Sequence, residues 1–115
     1  MVIDLPTPPS VNRTRRVDWA GETKRREWYR QADVMVLKQR VMSQKMTGPF
    51  QVRIVIPEKG RLDPDNYFKV LLDYLRRVEL IPGDSRKYVK RIVMDLGEAP
   101  TGVRVELQAW TGAPG

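Results

Sequence analysis

The sequence predicts a single α/β (α+β) domain in which a mixed β-sheet carries two main helices, in the order β-α-β-α-β-β. Three observations predict it. The chain has 115 residues, which suits one domain. Apolar residues make up 41% of it, a globular share. Along the chain, apolar residues switch between strict alternation and helical spacing. A core of this size has little margin, and a homodimer interface would add to it.

The elements follow in order. Residues 1–5 read as a short strand with Ile3 and Leu5 on one face, stopped by Pro6, Pro8 and Pro9, because proline cannot donate to a ladder. Residues 10–21 read as a polar, basic loop. Residues 22–46 read as one long helix: Trp28, Ala32, Met35, Met42 and Met46 keep helical spacing, and Val34, Leu37 and Val41 broaden the face. Gly48-Pro49 ends it. Residues 51–57 alternate, with Val52, Ile54 and Ile56 on one side.

A second helix is expected from Pro64 to Val78, with proline favourable at its first position and a stripe of Phe68, Leu71, Leu72, Leu75 and Val78. Residues 86–95 and 103–110 read as the last two strands, expected to pair as a hairpin around Pro100. The unit is residues 1–115, with 111–115 a flexible tail. No internal repeat is present. No apolar run is long enough to span a bilayer, and the N-terminus lacks the pattern of a signal peptide. A cytoplasmic location is expected.

The chain has no cysteine and no histidine. Thiol catalysis, disulfides, Cys/His zinc sites and an imidazole base are excluded. A metal would be held by oxygen ligands, which points to Mg²⁺ or Mn²⁺. The net charge is +7 and the pI about 10.1. Such a field attracts polyanions, nucleic acid first and an anionic membrane surface second.

The most informative segment is Asp63-Pro64-Asp65-Asn66-Tyr67-Phe68-Lys69. Two carboxylates flank a helix start, where the positive end of the dipole favours ionised acids. A divalent cation would relieve their mutual repulsion. Lys69 lies one turn beyond Asp65, placed to stabilise charge on a phosphate. Each residue also has a structural alternative. Asp63 before proline is a favoured N-cap, Asp65 can serve the dipole alone, and Lys69 can pair with Asp65 or Asp73. Asp84 follows the second helix, and its alternative is a turn residue after Gly83. Only pairing of the strand after Asp84 with the strand before Asp63 would bring these acids together.

Several motifs match one family. Pro8-Pro9-Ser10-Val11-Asn12 is similar to its Pro-Pro-Ser-x-Asn signature. Asp63-Pro64-Asp65-Asn66, then Lys69, Asp73 and Leu75, is similar to its D-x-D-N-x-x-K-x-x-x-D-x-L core. Asp84 falls where it places a further acid, and a basic strand follows. The chain thus resembles the RusA family of Holliday-junction resolvases, over residues 5 to about 95. The resemblance implies a small homodimer that binds four-way DNA junctions and nicks two strands symmetrically with Mg²⁺, in DNA recombination and repair. It implies Asp63, Asp65 and Asp84 as metal-binding catalytic acids and Lys69 as a catalytic lysine, with Asn66 supporting the site and Asn12 and Arg13 near it or near DNA. Such genes are frequent in phages. Two departures stand out. The family often has a pair of acids where this chain has Gly83-Asp84, and a glycine after the second helix where it has Val78-Glu79-Leu80. Glu79 is a candidate to replace the missing charge.

The expected chemistry is metal-assisted phosphodiester hydrolysis. Arg13, Arg15, Arg16, Lys24, Arg25, Arg86, Lys87, Lys90 and Arg91 are candidates to hold phosphates, which positions a protein without reading sequence. Trp19 and Trp110 are candidates to stack on bases, whereas Trp28 belongs with the core. No membrane partner and no small-molecule cofactor are expected. The rival functions are a non-catalytic binder of branched DNA, a basic protein docking on structured RNA, and a nuclease of flaps or forks. The long helix and the strand at 51–57 are both candidates for the dimer surface.

Overall fold

The computed structural model describes residues 1–9, 19–60 and 62–112, with the side chains of 19–22 left aside. The elements are β1 (Val2–Pro6), α1 (Trp19–Gln39), β2 (Phe50–Ile56), α2 (Pro64–Arg77), β3 (Val89–Leu96) and β4 (Gly102–Ala109). A single 3-10 turn, Met42–Gln44, lies between α1 and β2. The element order is the expected one, and the sheet is mixed. Its strand order is β1-β4-β2-β3, with β2 and β3 parallel and the other neighbours antiparallel.

The expected hairpin of the last two strands does not form. The chain leaves β3, turns, and enters the sheet as β4 between β1 and β2. Burial explains the choice. Val103, Val105 and Leu107 of β4 are buried beneath the helices, as are Ile3 and Leu5 of its neighbour β1. Ile92 and Leu96 of β3 remain 53% and 58% exposed, which only an edge tolerates. Gly102 makes the turn possible: its φ is +130°, and a Cβ there would lie 2.7 Å from the Thr7 backbone nitrogen. Because β2 is flanked by β4 and β3, it offers no free strand edge.

The core lies on one face of the sheet. Ile3, Leu5, Phe50, Val52, Ile54, Ile56 and the buried residues of β4 pack beneath the helices. Alternation along each strand turns the other side chains to the opposite face. There they form cross-strand ion pairs, Asp4 with Arg104 at 2.7 Å and Arg53 with both Asp95 and Glu106. α1 packs against β1 and α2 against β2.

α1 is shorter than expected. Its buried stripe is Trp28, Ala32 and Val36, while Val34 and Leu37 are exposed and Met35 is half-buried. The helix ends at Gln39, just before the left-handed residue Arg40, and the Gln39 side chain ties that end to β1. Its amide oxygen accepts the Asp4 N–H at 2.7 Å and its Nε2 donates to the Asp4 carbonyl at 2.7 Å. Arg40 then turns the chain with φ +53° and Val41 enters the core, while Met42 is exposed in the 3-10 turn. Trp28 is a core residue as expected, and its indole N–H donates to the Pro6 carbonyl at 2.8 Å.

α2 matches its expected span to within one residue. Leu71, Leu72 and Leu75 are buried as expected, but Tyr67 and Tyr74 complete the stripe, and Phe68 and Val78 lie at its margin. The Tyr74 hydroxyl donates to Asp33 of α1 at 2.7 Å. Tyr29 stacks on Tyr74 with centroids 5.9 Å apart, and the Arg77 guanidinium lies 4.3 Å above the Tyr29 ring. This cluster fixes α2 against α1. Burial first, and the Asp33 contact second, push the Tyr74 hydroxyl pKa far above the usual tyrosine value. The unfolded chain therefore ionises this hydroxyl first, near pH ~10, and its contribution to stability is present below that pH and lost above it. Tyr74→Phe should cost ~1 kcal/mol at neutral pH and flatten the alkaline fall in stability, read by urea titration at several pH values.

The end of α2 explains one departure from the family pattern. The Leu80 N–H donates to the Leu75 carbonyl and the Glu79 N–H to the Arg76 carbonyl, the paired bonds of a Schellman cap. Glu79 takes the left-handed position with φ +64°, where glycine carries no Cβ penalty. Glu79→Gly should therefore stabilise the fold by about 1 kcal/mol, a rise of roughly 4 °C in melting temperature. A lower melting temperature would mean that the Glu79 side chain has a stabilising contact that outweighs its strain.

Candidate functional site

The loop after β2 delivers the chain to α2 at the end of the sheet where the parallel strands finish. Pro64 takes the first helical position, and Asp63 stands at the N-cap in an extended conformation, φ −69° and ψ 151°. The Asp63 carbonyl accepts the N–H groups of Asn66 at 3.0 Å and Tyr67 at 3.2 Å. Tyr67 is buried at this point, and Gly60 of the loop closes over its hydroxyl. The backbone under Asp63 is thereby fixed.

The Asp63 carboxylate does not make the capping bond that its position invites. Asp65 is exposed in the first turn, and Lys69 is exposed one turn further on. Among the described residues, none of the three has a hydrogen-bond or ion-pair partner, so Lys69 is not engaged by Asp65 or Asp73. Two free carboxylates and an ammonium group thus share the positive end of a helix that is itself anchored by Leu71, Leu72 and Leu75.

Asp84 lies elsewhere in the subunit. The strand that follows it does run beside the strand that precedes Asp63, which was the required pairing. That pairing is parallel, so the crossover returns the chain along the whole of α2. Asp84 sits at the far end, with Oδ1 3.6 Å from NH1 of Arg76. Arg76 follows Asp65 by eleven positions, or roughly 16 Å of helix. Among the described residues, no three acidic side chains gather into one cation cage. Gly83 precedes Asp84 for a steric reason: a Cβ there would lie 2.8 Å from the Tyr88 ring. An acid at that position would have to displace Tyr88. Glu79 shares the far end with Asp84 and is exposed, so it adds no charge beside Asp63 and Asp65.

The other expected site residues are divided. Asn66 is half-buried and lines a cavity of about 330 Å³ between the helices, with Arg25, Trp28 and Asp73. Arg86, Lys87, Lys90 and Arg91 are exposed, at the start of β3 and in the turn before it. Lys90 Nζ donates to the Arg86 carbonyl at 3.0 Å, and the Lys87 ammonium lies 5.3 Å from the Tyr88 ring centroid. Asn12, Arg13, Arg15 and Arg16 lie outside the described residues, as does the side chain of Trp19. Trp110 is half-buried next to the end of β4. Sequence reasoning missed the Asp33–Tyr74–Tyr29–Arg77 cluster. Its signal was present, since Tyr67, Leu71 and Tyr74 keep the i, i+4, i+7 spacing of a helix face.

The fold and this surface define a small basic α+β domain with an exposed acidic pair at a helix N-terminus. No protein-family model matches the chain, and no curated protein matches it. Among the described residues, no helix is long and apolar enough to cross a membrane.

Proposed function

We propose that this protein is a structure-specific endodeoxyribonuclease that resolves four-way DNA junctions by Mg²⁺-dependent phosphodiester hydrolysis, acting as a homodimer in DNA recombination and repair. The observation that carries the reading is the pair Asp63 and Asp65, uncapped and without partners among the described residues, with Lys69 beside it, on a chain of net charge +7. The motifs around that pair resemble those of the RusA resolvases, which supports the same reading.

The residues present fit the ion. Mg²⁺ is commonly held by one or two carboxylates together with substrate phosphates, and Asp63 and Asp65 offer such a pair. When bound, it would supply Lewis-acid activation of water and stabilisation of the leaving oxygen. The chain's own residues do the rest. Asp63 and Asp65 would hold the ion at the helix end, and the Lys69 ammonium offsets charge that builds on the phosphate oxygens. With no histidine in the chain, the water's proton goes to a carboxylate or to solvent. The exposed Arg86, Lys87, Lys90 and Arg91 hold flanking phosphates.

The distance of Asp84 from the acidic pair in one subunit favours a second reading, a branched-DNA-binding protein with a disabled nuclease centre. One assay separates the two. A labelled mobile four-way junction is incubated with the protein, with and without Mg²⁺, and nicking and binding are read in parallel. Paired symmetric nicks that require Mg²⁺ support the resolvase. Tight junction binding without nicking in Mg²⁺ or Mn²⁺ supports the binding protein. Cleavage of flaps or forks in preference to junctions would move the activity to another branched substrate.

A further inference from the structure

The two helices do not close on each other along their whole length. At one end Tyr29, Asp33, Tyr74 and Arg77 fill the space between them. At the other, beside the start of α2, a cavity of about 330 Å³ remains, within the ~300–1,000 Å³ range of small-molecule sites. Trp28, Tyr29 and Val70 give it apolar walls. The walls are preformed, because Trp28 is held by the Pro6 carbonyl and Tyr29 by its stack on Tyr74. Three polar residues, Arg25, Asn66 and Asp73, line the same space. Among the described residues, the side chains of Arg25 and Asn66 have no partner, and Asp73 has only Arg76 at 3.8 Å, beyond hydrogen-bond distance. Residues 66, 70 and 73 share a face of α2 next to the one that carries Asp65 and Lys69, so the cavity lies alongside the acidic pair.

The mixed charge limits the occupant. A phosphate would meet Asp73, and an ammonium group would meet Arg25. A flat neutral molecule with donors on one edge and acceptors on another satisfies both, and a nucleobase is such a molecule. The neighbouring surface suits the rest of a nucleotide. On the other side of Tyr29 a second hollow is lined by Arg25, Arg26, Arg30 and Arg77. Its carboxylate, Asp33, already accepts the Tyr74 hydroxyl, and Arg30 is paired with Glu27. Apolar walls for a base beside cations for its phosphates are the parts of a site for an unpaired strand.

We propose that the cavity takes one nucleobase extruded from the bound DNA, and that Arg25 and Asp73 select guanine. The inference rests on the branched-DNA reading, whether or not the strand is cut. Guanine presents two adjacent donors, N1–H and the 2-amino group, to a carboxylate, and two adjacent acceptors, O6 and N7, to a guanidinium. Asn66, whose amide both donates and accepts, discriminates least. Extrusion costs least where stacking is already interrupted, as at the crossing of a junction. A base held here sets the register of the strand that passes Asp63 and Asp65, so the cavity chooses which position of the strand is held.

The test is a binding scan on four-way junctions in which guanines next to the crossing are replaced one at a time. It is read by gel shift without Mg²⁺, so that binding is measured apart from nicking. At one position an abasic site should weaken wild-type binding by on the order of tenfold or more, the loss of one held base. At that position inosine, which lacks the 2-amino group, and 7-deazaguanine, which lacks N7, should each weaken it by on the order of fivefold. Asp73→Asn should respond to 7-deazaguanine but not to inosine, and Arg25→Gln should do the reverse. Both residues are exposed, so neither substitution threatens the core. A merely structural role would weaken every junction alike and leave both responses in place. An even response to abasic sites around the crossing would overturn the proposal and leave the junction reading standing. An inosine penalty that survives in Asp73→Asn would overturn it too. A protein that binds four-way junctions no better than duplex would remove both. Position-specific penalties without nicking in Mg²⁺ would keep the base site and remove the nuclease reading alone.

Discussion

Asp65→Asn is expected to abolish junction nicking while leaving junction binding and the folded state unchanged. The substitution keeps the shape of the side chain and removes its charge. Asp65 is exposed in the first turn of α2 and has no side-chain partner among the described residues, so the fold loses only its interaction with the helix dipole, about 0.3–1 kcal/mol. Charge stabilisation by a metal centre is worth several kcal/mol in the transition state. At 1.36 kcal/mol per tenfold, its loss should slow cleavage by on the order of 10³ or more. The comparison is a single-turnover nicking rate against a gel-shift affinity and a melting curve for the same preparations. Equal loss of binding and cleavage would point to damaged structure. Retained cleavage would remove Asp65 from the site and leave the binding reading.

The second large effect is a recovery. Asp65→Asn and Asp84→Asn should each be inactive alone, and a mixture of the two should regain nicking. If the homodimer sets the Asp84 of one subunit against the acidic pair of the other, a mixed dimer has one site with all three acids unaltered, while the second site carries both substitutions. One competent site per mixed dimer predicts single nicks rather than symmetric pairs. If all three acids acted within one subunit, every subunit in the mixture would be defective and no activity would return. Subunit exchange can be verified by mass with one variant tagged, so that a silent mixture is not mistaken for a failed exchange.

Much of the fold was legible from residue patterns because it depends on local periodicity. The alternation of Val52, Ile54 and Ile56 and that of Val103, Val105 and Leu107 marks strands that bury one face. Pro64 marks the start of α2 because of its missing N–H. The α1 boundary was not legible. Its end is tied to β1 by Gln39 meeting Asp4, residues 35 positions apart, and no local pattern encodes that bond. The hairpin expectation failed for a similar reason. Short connections favour pairing of successive strands, but the partner of β4 was decided by which strand could leave Ile92 and Leu96 uncovered.

The candidate site divides along the same line. The sequence by itself determined the chemistry on offer: no histidine or cysteine, an acidic pair with a lysine at a helix start, and an excess of positive charge. It also determined that Asp63 and Asp65 lie together, because two residues across a helix start are neighbours whatever the tertiary fold. Only the tertiary structure decided that Asp63 leaves its capping bond unmade and that Gly83 is held by the Tyr88 ring. It also decided that Asp84 stands at the opposite end of α2. The reason is geometric. A parallel strand pair requires a crossover as long as the strands themselves, so residues before and after that crossover lie at opposite ends of the strands.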